Sequence, residues 1–249
     1  MNIQIEKCLI SLRLRHIHGI FAENSRNANQ KILSIIPQDA VVGIGDSSTI
    51  RQIGLLEQLK EKGIKVLNPF ESKEPQIDPK EAYEYTERIS KEATLCEVFL
   101  TGTNAITQDG RLINVDAAGN RVAGMFWGHP ISIIVVGRNK IVKNLDEAFD
   151  RIRSIIAPNH TYIKTTESGG RKLKIPCAKT GKCKDCRASD RVCNIFTIIE
   201  GKPLRTDLKV VIVNEDLGLG WDPSWPETRI MQIINNHKES LWIPKFDIL

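Results

Sequence analysis

The sequence predicts an α/β protein built on a parallel or mixed sheet covered on both faces. Three observations carry this. Short β-branched runs, 131–136 and 209–213, have the length and composition of buried strands. Such runs alternate with stretches of helical periodicity, as at 145–156. With 41% hydrophobic and 26% charged residues in 249, the chain can bury a large core without disulfides.

Residues 2–36 read as two helices, broken around Asn24 and Asn27 and ended by Pro37. The first carries Ile5, Cys8, Leu9 and Leu12 on one side. Glu6, Lys7, Arg13 and Arg15 interrupt the apolar core that a signal peptide needs, and no apolar run approaches the roughly 18 residues that span a bilayer. The expectation is a cytoplasmic protein with no membrane span, whose six cysteines stay reduced.

Ala40–Gly45 reads as a buried strand entering a glycine turn, and Asp46, Ser47, Ser48 and Thr49 offer caps for a helix reaching Lys62. A strand at 64–67 follows, then a helix over 78–94 with Pro79 in its first turn. A strand at 97–101 runs into Gly102, and 105–115 reads as a hairpin about Asp109-Gly110. A short helix at 119–127, the strand at 131–136 and the helix at 145–156 complete the regular part. Residues 158–193 read as a polar loop carrying four cysteines. Strands at 195–199 and 209–213 follow, then a tail with Trp221, Trp225 and Trp242 around a helix near 227–237. The reading is one domain over 1–249, with N-terminal helices (1–36), a Cys-rich insertion before the last strand (158–194) and a C-terminal tail (219–249).

Cys177, Cys183, Cys186 and Cys193 fall within 17 hydrophilic residues in the spacing C-x5-C-x2-C-x6-C, where a buried apolar thiol has no reason to be. The central pair can grip one metal or cluster from a single turn while the outer pair closes the shell. Around them, from Arg171 to Arg191, eight basic residues face two acidic ones. That net +6 leaves −1 for the rest of a +5 chain, so the basicity belongs to the cysteine segment. It offsets the negative charge of a tetrathiolate centre and favours thiolate over thiol. Nucleic acid is the competing reading of these charges, but Arg171–Arg191 holds no aromatic residue for base stacking. Cys8 and Cys96 lie in apolar contexts and read as core. Spacing alone leaves zinc and iron–sulfur open.

Gly43-Ile44-Gly45-Asp46-Ser47-Ser48-Thr49 joins a strand to a helix and suits an anion such as phosphate or carboxylate. It is neither GxGxxG nor a P-loop, so a dinucleotide is poorly supported. Gly102-Thr103-Asn104 ends another strand, and Asn114, Asp116, Asn120 and Arg121 follow. Strand ends of an α/β sheet converge on a ligand crevice. There Arg121 would pair with a carboxylate or phosphate, and Asp116 is the candidate for acid–base work; the bland reading is that these side chains satisfy turns. His129 and His160 have no spacing partner and read as surface or capping residues.

The run TGTNAITQDGRLINVDAAGNRVAGMFWGHPISIIVVGRNKIV (101–142), with GIGDSST (43–49) and VVIVNEDLG (210–218), resembles the signature of the LUD (lactate-utilisation) domain family. The resemblance implies a Rossmann-like mixed sheet of the ribose-phosphate isomerase and CoA-transferase type. It implies that Gly43, Gly45, Ser47, Ser48, Thr49, Gly102, Asn104, Asp116, Asn120 and Arg121 line the crevice. It raises electron-transfer chemistry, and with it a 4Fe–4S cluster on the four cysteines, zinc being the alternative. Better-known members attached to bacterial lactate oxidation either lack such a cysteine loop or carry separate ferredoxin-type motifs, which are absent here, so CAKTGKCKDC resembles a distinct, cysteine-loop-bearing branch.

Three functions compete. The first is a redox component acting on a small organic acid such as lactate, with a redox partner protein. The second is an isomerase- or transferase-like enzyme for a phosphorylated or CoA-linked ligand, with structural zinc. The third is a non-enzymatic regulatory module. A homodimer is expected from base rates alone.

Overall fold

The computed structural model describes residues 2–71, 78–166 and 173–243. Its centre is a six-stranded, all-parallel sheet. In chain order its strands are β1 (His18–Ala22), β2 (Val42–Ile44), β3 (Val66–Leu67), β4 (Val98–Gly102), β7 (Ile131–Gly137) and β10 (Asp207–Val213), and in space they run β1-β10-β7-β4-β2-β3. A smaller sheet of β5 (Ala105–Thr107), β6 (Leu112–Asp116), β8 (Ile141–Val142) and β9 (Ile195–Ile199) runs β8-β5-β6-β9. The α/β class with a parallel-dominated sheet is as expected.

The central strands are buried on both sides, and the period of two assigns each residue to a layer. Ile133 and Val135 of β7, with Val211 and Val213 of β10, enter one core with α2 (Ser25–Leu33), α3 (Ser48–Gln52) and α4 (Leu55–Glu61). Ile134, Val136, Val210 and Ile212 enter the opposite core with α1 (Ile3–Leu14), α6 (Asn120–Phe126) and the small sheet. α5 (Pro79–Ala93) packs on β2 and β3.

Several expectations need correction. Residues 1–36 are not helical throughout: α1 stops at Arg15, His16 turns the chain with φ 59°, and His18–Ala22 forms the edge strand β1 against β10. Gly19 lets this strand lie under α1, since a Cβ there would sit 3.0 Å from Leu9 Cδ2 and 3.1 Å from Leu12 Cδ1. The helix expected through Lys62 breaks at Gly54, whose φ of 66° starts α4 afresh.

The helix expected over 145–156 does not end before Pro158. α7 (Leu145–Arg151) passes through a π-helical turn at Ile152–Ile156 into α8 (Ala157–Thr166). Proline cannot donate in a helix interior, and a widened turn accommodates the missing bond. Side chains satisfy nearby carbonyls: Asn159 Nδ2 donates to Ile155 O at 2.7 Å and Thr161 Oγ1 to Ala157 O at 2.8 Å. The cysteine insertion therefore begins later than Pro158, and it contains a further short helix, α9 (Pro176–Thr180). Arg171 and Lys172 of the basic segment lie outside the described residues. α10 (Glu227–Glu239) follows and packs through Ile233 with Ile155 and Trp221.

Candidate functional site

A crevice of about 320 Å³ opens where the parallel strands end, walled by strand ends, the helices beside them and adjoining loops. The segment after β2 supplies Ser47, Ser48 and Thr49. The segment after β4 supplies Thr103 and Asn104 beside Gly102, and β6 and its loop supply Asp116, Asn120 and Arg121. α8 adds His160, Thr161 and Lys164, α10 adds His237, and the cysteine segment adds Leu173, Val192 and Cys193. A larger depression of about 950 Å³ shares Arg51, Phe70 and Leu241 with it. In it Arg138 and Arg229 are both paired with Asp216; the smaller crevice, at the strand ends, is the better candidate.

Of the expected crevice residues, Gly43 and Gly45 are not on its walls. A Cβ on Gly43 would lie 2.2 Å from Ala93 O and 2.6 Å from Cys96 Sγ, so this glycine lets α5 close against β2. On Gly45 it would meet Thr101 Oγ1 at 2.8 Å and Phe99 Cζ at 2.9 Å. Both are packing glycines. Gly102 does serve the site: a Cβ there would stand 2.7 Å from Ser47 Oγ. Ser47 itself caps α3, accepting from Ile50 N at 3.3 Å.

Arg121 does not hold out its guanidinium to a ligand. Its Nε donates to Asp116 Oδ2 at 3.2 Å, Nη1 to Gly102 O and Asn114 Oδ1, and Nη2 to Asn104 Oδ1 and Val115 O. All five N–H donors thus have protein acceptors. Arg121 is a strut that joins β4, β6 and α6, and contributes positive field without direct contact. Asp116 is engaged on both oxygens, by Arg121 and by Gly119 N at 3.0 Å.

The most unusual group is Lys140, which the sequence reading passed over. β7 ends at Gly137, and a three-residue turn, Arg138–Lys140, leads into β8. Asn139 fixes the turn by accepting from Leu217 N at 2.9 Å and donating to Gly220 O at 2.9 Å. Lys140 then points inward, 6% exposed, and Nζ donates to Thr49 Oγ1 and Thr103 O, both at 3.0 Å. Neither partner is a carboxylate. Burial, with the charge of Arg121 adding, lowers its pKa to about 7. Gly218, φ 67°, makes room, since a Cβ there would lie 2.5 Å from Nζ.

The histidines also correct the sequence reading. His129 is buried and stacks on Phe99 at 5.3 Å. His160 lies on the crevice wall, its Nδ1 3.3 Å from Nε2 of the buried His237, whose Nδ1 is 3.1 Å from Ser48 Oγ. Burial lowers His160 to about 4, with Lys164 contributing, and holds His237 well below its ordinary value, with His160 and Lys140 contributing. Asp46 goes the other way: burial would raise it, but Arg51 at 2.7 Å, then Lys164, hold it at about 2.

The cysteines are all free thiols. Cys8 and Cys96 are core residues as expected, pushed by burial up to about 12 and about 11, against backbone hydrogen bonds at Cys96. Cys177 and Cys186 pack with Leu173, Ile175 and Ala178. Burial, together with nearby Cys186 and Cys193, raises the Cys177 thiol against its hydrogen bonding with Thr161, so the expected bias to thiolate does not hold there. Cys183 is exposed and accepts from Asp185 N at 3.4 Å. Arg191 straps the segment, donating to Cys186 O at 2.6 Å, Cys193 Sγ at 3.2 Å and Asp185 at 3.1 Å. Four free thiols with N–H donors on two of the sulfurs fit a thiolate-bound centre chemically. Among the described residues, however, no three or more His, Cys, Asp or Glu stand arranged to hold a metal ion. No helix among them is long and apolar enough to cross a membrane.

The model of the LUD domain matches residues 5–213, most of the chain. The chain belongs to the LUD domain family. No curated protein matches it. Among solved structures this LUD-domain chain is similar to a DUF162 family protein from Deinococcus radiodurans, with 15% identity over 84% of this chain and 94% of that one, TM-score 0.43. It is also similar to ribose 5-phosphate isomerase A from Neisseria gonorrhoeae, with 19% identity over 49% of this chain and 54% of that one, TM-score 0.32. The match ends at Val213, so α10 and His237 lie beyond it.

Proposed function

We propose that this LUD-domain protein binds a small organic acid in the crevice and acts on it as a redox component, with a thiolate-bound centre in the adjoining cysteine segment. The observation that carries the reading is that Cys193 and Val192 form a wall of the same crevice as Lys140 and Asp116. Charge supports an anionic ligand. Asp46 and Asp116 are each paired with an arginine, and Lys140 Nζ is bonded to a hydroxyl and a carbonyl, neither of them a carboxylate. The volume of about 320 Å³ admits a small organic acid with room to spare.

α8 links the two halves. His160 and Lys164 face the crevice, while Thr161 hydrogen-bonds the Cys177 thiol from the same helix. Cys177, Cys183, Cys186 and Cys193 would hold the centre, as a 4Fe–4S cluster or, in the alternative, zinc. A bound cluster would supply one-electron transfer to a redox partner. The chain's own residues orient the acid: Lys140 faces its anionic group, and Leu173 and Val192 exclude water beside it.

Anaerobic purification with visible spectroscopy and metal analysis tests this. A brown protein with iron and sulfide, bleached in Cys183→Ser, is expected. A colourless, iron-free protein would remove the redox reading. The second reading, an isomerase- or transferase-like enzyme, is favoured by Lys140, whose lowered pKa suits acid–base chemistry at neutral pH. Under it, sugar phosphates or CoA esters would raise the melting temperature and lactate would not.

A further inference from the structure

Three side chains on the crevice wall come from distant parts of the chain and are ordered as a relay: Ser48 at the start of α3, His237 on α10 and His160 on α8. We propose that Ser48 is a nucleophile activated by His237 and positioned through His160, giving the crevice an acyl-transfer activity toward small carboxylic esters or thioesters. This goes beyond the redox reading and does not depend on any metal in the cysteine segment.

The distances place each partner within hydrogen-bond reach, 3.1 Å from Ser48 Oγ to His237 Nδ1 and 3.3 Å from His237 Nε2 to His160 Nδ1. One tautomer satisfies the chain in the productive direction: the Ser48 hydroxyl donates to Nδ1 of His237, and its Nε2–H donates to Nδ1 of His160. His237 is 3% exposed, so the contact is a built one. The charged groups bearing on the two rings are Lys140, Lys164, Arg51 and Arg121, which oppose an imidazolium, and Asp46, which favours it. Asp46, ionised beside Arg51, favours an imidazolium through space. Lys140 Nζ, at Thr49 Oγ1, places an N–H donor beside the nucleophile's neighbour.

In the step, Ser48 Oγ forms a bond to the acyl carbon while its proton passes to His237 Nδ1. The bond from the acyl carbon to the leaving oxygen or sulfur breaks, and that atom takes the proton from Nδ1. Water then attacks the acyl-serine, giving its proton to Nδ1, and Ser48 leaves with that proton. The products are the carboxylic acid and the alcohol or thiol, with no change of oxidation state.

A fluorophosphonate probe on the full chain, read by intact mass and peptide mapping, tests the proposal. One adduct at Ser48 is expected, with none in Ser48→Ala. His237→Gln should slow labelling by about 100-fold or more. As a positioning residue, His160 should show rescue: His160→Leu slows labelling, and His160→Asn, which keeps an acceptor near Nδ1, restores most of it. Should His237→Gln fail to fold, the His160 pair carries the test. A folded wild type that stays unlabelled, is labelled elsewhere, or reacts at Ser48 regardless of the histidine variants overturns the proposal. Iron content and visible absorption play no part in this readout, so it fails or stands apart from the redox reading.

Discussion

Lys140→Met should make the protein more stable at neutral pH, an unusual outcome for losing two buried hydrogen bonds. Burial lowers the amine from 10.5 to about 7, roughly 3.5 units, which at about 1.4 kcal/mol per unit bounds the destabilisation near 5 kcal/mol. The sign follows from linkage. Between those two values the unfolded chain binds a proton that the native state does not, so stability falls as pH drops from 10.5 towards 7 and is then level. Methionine keeps the volume, removes the titration and forfeits the bonds to Thr49 Oγ1 and Thr103 O, worth about 1 kcal/mol each. The net expectation is a gain on the order of 2–3 kcal/mol at pH 7, or about 4–12 °C in melting temperature for a chain of this size. Urea unfolding at pH 7, 8.5 and 10 measures it. The variant's advantage should shrink with pH, vanish at about pH 9, where about 1.5 units at about 1.4 kcal/mol match the two lost bonds, and be reversed at pH 10. A variant less stable at pH 7, or a gap that does not move with pH, would refute the assignment of Lys140 as a buried amine without a counter-ion.

Gly43→Ala should cost about 2–4 kcal/mol in chemical denaturation, because the new methyl meets a backbone carbonyl 2.2 Å away that cannot move without α5. A change under about 0.5 kcal/mol would show that the helix and strand can separate there. Arg191→Ala should leave the global melting temperature nearly unchanged while raising alkylation of Cys193 and Cys186 several-fold, because it removes the strap across the segment. Unaltered alkylation would place the order of that segment elsewhere.

The parts of the fold legible in the sequence are those whose signal is local. Ile131–Gly137 and Asp207–Val213 are β-branched runs buried on both faces, and composition alone identifies them. β1 was not legible: His18–Ala22 is a short edge strand whose apolar residues continue the spacing of α1, and only Gly19 and the capping Asn24 mark the change. α8 was missed because Pro158 argues for a helix end, while the π-helical turn that admits it has no sequence signature. In the crevice, Ser47–Thr49, Gly102–Asn104 and Asp116–Arg121 were legible because they sit at strand ends. Lys140 was not, since a lysine in GRNKIV reads as a solvated turn residue until the loop at 217–220 is folded over it. His237 lies 189 residues from Ser48, and only the tertiary fold joins them.

The measurement that bears most directly on the account is a titration of lactate and pyruvate into anaerobically purified wild type and Lys140→Met, followed by visible absorption and calorimetry together. The account expects saturable binding in the wild type, a change in the absorption of the thiolate-bound centre on binding, and loss of both in Lys140→Met. Binding without any absorbing centre, or a coloured protein indifferent to either acid, would contradict the claim that the crevice and the cysteine segment form one site.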